Sequence, residues 1–196
     1  MIEMLFATHN PNKLAEVQQL LPDHIKLLSL RDMGCKADIP ETATTLKGNA
    51  KLKADFGLAT YHLPCFADDT GLLVTALNGA PGVHSARYAG PQNNAEANMA
   101  KLLRALGDKE DRRAKFQTVI ALNMNGQTLY FKGEVQGSIR KEKSGSGGFG
   151  YDPIFEPQGY DITFAEMPLD TKNSIGHRGK AFSKLIAHLG SLPAVK

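Results

Sequence analysis

MIEMLFATHNPNKLAEVQQLLPDHIKLLSL, residues 1–30, carries the pattern that decides the fold class. Residues 2–7 are a short apolar run suited to a buried strand, and the polar turn at residues 8–12 places Pro11 at a first helical position. Apolar residues then repeat at helical spacing, at Leu14, Val17, Leu20 and Leu21. Residues 25–30 resemble a second strand. A strand, a helix and a strand in this order predict an α/β fold.

Further helices are predicted along the rest of the chain from apolar residues at helical spacing. They span about residues 44–61, 94–106 and 173–189. No segment marks a boundary between independent domains, so we expect a single domain over residues 1–196.

Strands are predicted between these helices. Two strand-like segments, residues 65–67 and 72–77, flank the polar stretch Asp68-Asp69-Thr70-Gly71. Residues 115–123 and 128–135 alternate at period two around Asn125-Gly126, which is typical of a hairpin. The sheet is therefore expected to be mixed.

Composition limits the class of protein without selecting a function. The chain has 196 residues, 42% hydrophobic and 22% charged, which fits an ordinary globular protein. Its net charge of +3 suits nucleic acid, anionic nucleotides or simple solubility equally well. No apolar run approaches the roughly 18–20 residues of a membrane helix. Two cysteines outside any CxxC pattern and scattered histidines argue against a zinc site, and we expect a cytoplasmic protein.

The turn Thr8-His9-Asn10-Pro11-Asn12-Lys13 lies between a predicted strand and a helix N-terminus. Such a junction offers backbone N–H groups and the positive end of the helix dipole to an anion. Thr8 and Asn10 can donate hydrogen bonds, and Lys13 adds a full charge. The alternative is a plain helix cap with a solvated lysine.

Asp68 and Asp69 sit together at the end of the predicted strand over residues 65–67. Their side chains alternate across extended backbone, so only one of them can point readily into a given site. Carboxylates in such a place bind Mg²⁺ or accept a proton from an attacking water. The alternative is a turn with two solvated acids. Glu41 stands at the head of the helical segment predicted for residues 44–61, in which Asn49 and Lys53 share one face at i and i+4.

Lys172, His177 and Arg178 fall early in the predicted last helix. Cations at a helix start oppose the helix dipole, which costs stability unless an anion lies between them. This placement favours a ligand-binding role over ordinary surface charge.

SGSGGFGYDP, residues 144–153, has the composition of a flexible linker but ends in two aromatic residues and a carboxylate. It matches neither GxxxxGK[ST] nor a GxGxxG that opens a helix. Glycine allows close backbone approach, and Phe149 and Tyr151 can stack on a flat ring. Asp152 can then bond the edge of a base. We therefore expect a ligand cradle instead of a tether.

Taken in order, these stretches resemble the inosine/xanthosine triphosphate pyrophosphatase family. The resemblance rests on six motifs between residues 8 and 179: Thr8-x-Asn10-x-x-Lys13; Glu41-Thr42 ahead of Asn49-Ala50; Ala67-Asp68-Asp69-Thr70-Gly71-Leu72; Gly79-Ala80-Pro81-Gly82 with Ser85-Ala86-Arg87-Tyr88; Gly147 to Pro153; and Ser174-x-x-His177-Arg178-Gly179. It implies an elongated two-lobed α/β fold, with a twisted mixed sheet flanked by helices, a substrate cleft between the lobes, and a homodimer. The implied reaction is Mg²⁺-dependent hydrolysis of ITP, dITP or XTP to the monophosphate and pyrophosphate.

The resemblance also implies roles for particular residues. Asp69 would be the catalytic carboxylate and a metal ligand, with Glu41 as a second metal ligand. The implied phosphate ligands are Thr8, His9, Asn10, Pro11, Asn12, Lys13, Lys53 and Thr70. The implied ligands of the base and nearby phosphates are Phe149, Gly150, Tyr151, Asp152, Lys172, His177 and Arg178. Gly48 departs from the family pattern, since many relatives have a glutamate there.

Two other functions are weighed against this one. A pyrophosphatase for pyrimidine triphosphates would use the same chemistry with a different choice of base. A small RNA-binding module would interleave several aromatics with basic residues on a sheet, whereas only Phe149-x-Tyr151 approaches that pattern and the paired acids would repel a backbone. We expect a nucleoside triphosphate as the partner, and neither nucleic acid nor a membrane.

Overall fold

A computed structural model describes residues 2–18 and 21–191. The strands are β1 (Ile2–Phe6), β2 (Ile25–Ser29), β3 (Cys65–Val74), β4 (Pro81–Gly82), β5 (Arg113–Met124), β6 (Gln127–Ile139) and β7 (Phe155–Pro157). The helices are α1 (Pro11–Gln18), α2 (Leu46–Tyr61), α3 (Ala95–Leu106), α4 (Leu169–Ile175) and α5 (His177–Gly190). None of the helices in these described ranges is long and apolar enough to cross a membrane.

The strands form one mixed sheet of seven, as expected. Its order is β2-β1-β3-β5-β6-β7, and β4 pairs with β3 at the side of this path. β1 runs parallel to β2 and to β3, while the β3–β4 and β6–β7 pairs are antiparallel. Register is fixed at the start of the chain by Ile2 opposite Ile25 and Phe6 opposite Ser29.

Contacts divide the chain into two compact units. Among the described residues, the first unit comprises the chain up to Asp69, Thr118–Gly133 and the chain from Lys180 onward. The second comprises Thr70–Gln117 and Glu134–Gly179. The expectation that residues 1–196 form a single domain stays a prediction.

The first unit has a core on each face of its strands because β1 and β3 alternate their side chains. On one face Phe6 and Phe66 stack at 4.7 Å and meet Phe182 of α5 edge to face. On the other face Leu5 and Ala67 pack with apolar residues of α2, including Ala50 and Ala54.

The second unit has a core of its own. Phe116, Phe155 and Phe164 form an aromatic group with ring centroids 4.7–6.2 Å apart, and residues of β3 and α3 such as Leu72 and Leu102 join the same core.

Several local predictions are confirmed. Pro11 is the first residue of α1, as predicted. Two helix caps were not predicted: Thr45 caps α2 by accepting the Gly48 N–H, and Asn94 caps α3. The hairpin turns at Asn125 and Gly126, whose φ angles of 51° and 73° are both positive, as a type I′ turn requires. Leu20, one of the residues that predicted α1, lies outside the described residues.

The prediction of two strand-like segments around Asp68 and Asp69 was wrong. β3 is one continuous strand from Cys65 to Val74, and residues 75–77 form a short 3₁₀ turn. Polar sequence suggested a break, but both carboxylates are buried with polar partners, so the strand continues through them.

The prediction of one last helix over residues 173–189 was also wrong. α4 ends at Ile175, and Gly176 adopts an extended conformation, with φ −72° and ψ 160°, before α5 begins at His177. The Gly176 N–H still bonds the Lys172 carbonyl at 2.8 Å, which closes α4. A Cβ on Gly179 would collide with the Asn173 carbonyl, so the close approach of α5 to α4 requires glycine there.

Candidate functional site

Asp68 and Asp69 point to opposite faces of β3, as the period of two predicts. Both Asp68 oxygens lie 2.9 Å from Lys13 Nζ on α1. Asp69 Oδ2 accepts a hydrogen bond from Asn49 Nδ2 of α2 at 3.2 Å. The two neighbouring carboxylates therefore contact side chains of different helices, α1 and α2.

Asp69 belongs to a buried polar group at the start of α2. Lys53 Nζ lies 2.7 Å from Glu41 Oε1 and 3.9 Å from Asp69 Oδ1, so the ammonium is shared by the two carboxylates. Asn49 is 1% exposed, and its Oδ1 accepts the Ala43 N–H at 2.9 Å. Asn49 thus ties Asp69 to the segment that carries Glu41. We call Glu41, Asp68 and Asp69, with Lys13, Asn49 and Lys53, the acidic cluster.

Asn49 was absent from the predicted site residues. The signal for it was its i, i+4 spacing with Lys53 on one face of α2. That spacing could not say which strand residue the amide would contact, because the contact spans twenty residues of sequence.

The electrostatics of the acidic cluster are set by burial. Loss of solvent raises the pKa of the Asp69 carboxyl above its ordinary value, and Glu41 raises it further, while Lys53, Lys13 and Asn49 oppose the rise. Burial alone would lower the pKa of the Lys53 ammonium, but the charges of Asp69, Glu41 and Asp68 outweigh it, and the net shift is upward. Lys53 is therefore held charged, whereas the negative charge of Asp69 is costly to this fold.

The predicted metal ligands suit Mg²⁺ by their chemistry. Glu41 and Asp69 each have a carboxylate oxygen within 4 Å of Lys53 Nζ. Two carboxylates that share one cation in this way are also suited to share a metal ion. Within the described ranges, no group of three or more His, Cys, Asp or Glu residues could hold a metal. Two carboxylates are sufficient for Mg²⁺, which commonly takes its remaining oxygen ligands from phosphates and water.

In the Thr8–Lys13 turn the side chains cap α1. Thr8 Oγ1 accepts the Asn10 N–H at 3.1 Å, and Asn10 Oδ1 accepts the Lys13 N–H at 3.4 Å. Exposed His9 contacts the Ala37 carbonyl through Nε2 at 2.9 Å. The side chain of Asn12 lies outside what the structure describes. These are the contacts of a helix cap, and the binding of phosphate by this turn stays a prediction.

Gly48 lies in the first turn of α2, close to Ala43. A Cβ at this position would lie 2.5 Å from Ala43 Cβ and 3.1 Å from Thr45 Oγ1. Any side chain here, including the glutamate expected from the family pattern, would require the preceding segment to shift.

The glycine-rich loop, residues 144–150, lies within the second unit and has defined contacts. Ser144 N donates to the Pro153 carbonyl at 2.8 Å, and Gly147 N donates to the Ala165 carbonyl at 3.0 Å. Gly148 has φ +69°, and a Cβ there would collide with Asp152 Oδ2. These contacts hold the loop in place, whereas a flexible tether would lack them.

Asp152 follows this loop and is 4% exposed. Its Oδ2 accepts the Phe149 N–H at 2.7 Å and a bond from Lys172 Nζ at 2.8 Å. Burial raises the pKa of the Asp152 carboxyl, while Lys172, the Phe149 N–H and Arg178 act in the opposite direction. One oxygen of Asp152 thus holds Phe149 and Lys172, and its bond to the edge of a base stays a prediction.

The expectation that the Tyr151 ring offers a stacking surface was wrong. Tyr151 is 5% exposed in the core of the second unit, and its hydroxyl donates to the Ser85 carbonyl at 2.7 Å. Burial raises the pKa of the Tyr151 phenol. Phe149 is half-buried, with Lys172 Nζ 4.9 Å and Arg178 Cζ 5.3 Å from its ring centroid.

The argument from the helix dipole was wrong for Lys172. Lys172 lies in the last turn of α4, where the dipole favours a cation, and only His177 and Arg178 begin a helix. The His177 ring stacks on Phe116, with centroids 4.6 Å apart and planes at 19°. We call Phe149, Asp152, Lys172, His177 and Arg178 the aromatic–basic cluster. Tyr151 and Gly150 adjoin it in sequence, and Thr70 lies half-buried on β3 directly after Asp69.

The model of the Ham1 family matches residues 4–188, nearly the whole chain. The chain belongs to the Ham1 family. The dITP/XTP pyrophosphatase of Flavobacterium johnsoniae is 56% identical over 185 residues, covering 94% of this chain and 96% of that protein. The protein of the same name from Flavobacterium psychrophilum is 55% identical, covering 94% and 97%.

Solved structures agree with this family membership. A HAM1 protein from Coxiella burnetii superposes with a TM-score of 0.91 at 41% identity, covering 98% of this chain and all of that chain. The Ham1-family chain thus has the α/β fold and the relatives that its six motifs predicted.

Proposed function

We propose that this Ham1-family chain hydrolyses the deaminated purine triphosphates dITP, ITP and XTP to the monophosphate and pyrophosphate. The relatives named dITP/XTP pyrophosphatase, 55–56% identical over nearly their whole length, support this choice of substrate. The observation that carries the chemistry is the buried Asp69 carboxylate, held by Asn49 beside the Lys53–Glu41 pair.

The acidic cluster would act on the phosphates. Asp69 would orient the attacking water and accept its proton, while the anhydride bond between the α- and β-phosphates breaks and pyrophosphate leaves. Mg²⁺ held by Glu41 and Asp69 would neutralise part of the phosphate charge. Lys13, Lys53, Thr70 and the Thr8–Lys13 turn would hold the phosphates in line.

The aromatic–basic cluster would bind the base. Phe149 would stack on the purine ring, and Arg178 and His177 can donate to the 6-keto oxygen of hypoxanthine or xanthine. Adenine presents an amino group at that position, which these donors cannot satisfy. Lys172 would bind a nearby phosphate or a further acceptor of the base. We further propose a cytoplasmic homodimer, as the resemblance implies.

A substrate panel tests this function directly. Pyrophosphate release from dITP, ITP, XTP, dATP, dGTP, dCTP and dUTP is measured with and without Mg²⁺. We expect fast release from the first three and little from dATP, dCTP and dUTP, and release only with Mg²⁺. A preference for dCTP or dUTP would support the pyrimidine pyrophosphatase instead, and release of phosphate in place of pyrophosphate would contradict the proposed bond cleavage.

A further inference from the structure

Glu166 has no role in the chemistry described above, yet it joins three parts of the second unit. Its Oε1 accepts a hydrogen bond from Ser144 Oγ, the first residue of the glycine-rich loop, at 2.7 Å. Its Oε2 accepts the Thr163 N–H at 2.7 Å and lies 4.0 Å from Arg140 Nη1. These hydrogen bonds lower the pKa of the Glu166 carboxyl, the Thr163 N–H most strongly, so it is ionised at neutral pH.

The turn that Glu166 ends, Thr163–Glu166, is the surface on which the glycine-rich loop lies. Buried Thr163 donates through Oγ1 to the Ser144 carbonyl at 2.8 Å, and the Ala165 carbonyl accepts from Gly147 N. A Cβ on Gly145 would lie 2.7 Å from both Ala165 C and Glu166 Cγ. The loop is therefore in contact with this turn at its beginning and in its middle.

The same turn also reaches the far end of the loop. Ala165 N donates to the Asp152 carbonyl at 3.3 Å, and Asp152 Oδ2 fixes the Phe149 N–H. Hydrogen bonds through Asp152 thus link the Thr163–Glu166 turn to the backbone of Phe149.

We infer that Glu166 is a positioning residue for base binding: its carboxylate holds the glycine-rich loop against the Thr163–Glu166 turn and so places Phe149. This inference rests on the proposed role of Phe149. Loss of the carboxylate would release Ser144 and widen the range of positions that Phe149 samples. Substrate binding would weaken, while the phosphate chemistry would proceed at its normal rate once substrate is bound.

The test compares E166A with the matched control E156A. Glu156 is bonded to the same Arg140 at 2.6 Å, and the two side chains are 29% and 28% exposed, but no described contact joins Glu156 to the loop. For dITP we expect E166A to raise KM about tenfold with kcat within about twofold of the unsubstituted protein. E156A should leave both within about twofold.

E166Q is the second variant and covers the case in which E166A does not fold. A glutamine oxygen can accept one of the two bonds, but its amino group cannot accept the other, so KM should lie between the values of the unsubstituted protein and E166A. A KM for E166A, or for E166Q in its place, equal to that of E156A would overturn the inference. A fall in kcat at unchanged KM would do the same.

A spectroscopic measurement separates this inference from the proposed function. The chain contains no tryptophan, so F149W introduces a single indole at the position in question. We expect E166A to lower the fluorescence anisotropy of F149W without any nucleotide, and E156A to leave it unchanged. Unchanged anisotropy in E166A would refute the positioning step, whereas an unsubstituted protein inactive on dITP would refute the function and leave this measurement standing.

Discussion

The acidic cluster and the aromatic–basic cluster carry opposite net charges. The first contains three carboxylates, Glu41, Asp68 and Asp69, and two ammonium groups, Lys13 and Lys53, so its named charges have an excess of one negative charge. The second contains one carboxylate, Asp152, and the two cations Lys172 and Arg178, so these named charges have an excess of one positive charge. An excess negative charge suits a metal cation, and an excess positive charge suits phosphate or keto oxygens.

The clusters also differ in what holds their central residue. Asp69 lies within β3, a regular strand. Phe149 lies on a loop that depends on hydrogen bonds from another turn, although Lys172, His177 and Arg178 of the same cluster lie on α4 and α5. Residues on regular elements are held more precisely than residues on loops. Since the acidic cluster would act on the phosphates and the aromatic–basic cluster on the base, we expect substitutions in the first to change the rate of the chemical step and substitutions in the second to change binding.

The largest effect is expected for D69N. This change keeps the size of the side chain and removes the charge that would orient the water and hold Mg²⁺. We expect kcat for dITP at saturating Mg²⁺ to fall by about 10²–10⁴-fold. D55N removes the same charge from a half-buried carboxylate of α2 that pairs with Lys51 and accepts a hydrogen bond from Asn123, and it should retain most of the activity. Near-normal turnover by D69N would refute the proposed mechanism.

A second prediction compares the effects of D68N and D69N on the free energy of unfolding. D68N would leave the Lys13 ammonium, 13% exposed, without the charge that it meets at 2.9 Å. Without divalent metal, we expect D68N to lower the free energy of unfolding by about 3 kcal/mol, as for other broken buried pairs. D69N should not lower it, because burial makes that charge unfavourable and Lys53 keeps Glu41 at 2.7 Å.

The pH dependence of this difference has a definite sign. The folded-state pKa of Asp69 is raised above 3.8, so its protonated form favours folding, fully so below that value. This contribution is lost as the pH rises through the raised pKa. Asparagine cannot lose a proton there, so the stability of D69N relative to the unsubstituted protein should increase over that range. Urea unfolding at several pH values measures it, and a decrease would show that Asp69 is stabilised as an anion.

The smallest of these effects is expected for F149A. Loss of a stacking ring should weaken binding of dITP by about 1–3 kcal/mol and leave kcat nearly unchanged. F131A is the control, since Phe131 is a half-buried phenylalanine of the first unit that contacts His188. If F149A and F131A weaken binding equally, stacking on Phe149 is not part of the site.

Much of the fold was predictable because local physics decided it. Pro11 at the start of α1, Thr45 and Asn94 at helix caps, and the Asn125-Gly126 hairpin each depend on the conformational preference of one or two residues. The opposite orientation of Asp68 and Asp69 was predictable as well, since alternation is a property of any extended strand.

The wrong predictions share one cause, which is that distant partners overrode a local signal. The polar stretch at Asp68 suggested a break in β3, but the strand continues through both carboxylates, which have an ion pair and a hydrogen bond to residues far away in sequence. Helical periodicity passed through Gly176, yet this residue is extended, and a Cβ on it would collide with the Lys172 carbonyl. The motif predicted that Tyr151 would stack on a ligand, but its ring packs in the core of the second unit.

By itself, the sequence determined the α/β class, the chain order of most elements and the six motifs that identify the family, because these depend on periodicity and on residue types at fixed spacing. Only the tertiary structure decided which charges neutralise one another, which aromatic ring is internal, and that Asn49 and Glu166 hold Asp69 and the glycine-rich loop. Such pairings join residues that are tens of positions apart. Their free energy arises from burial and from contact geometry, which no local pattern encodes.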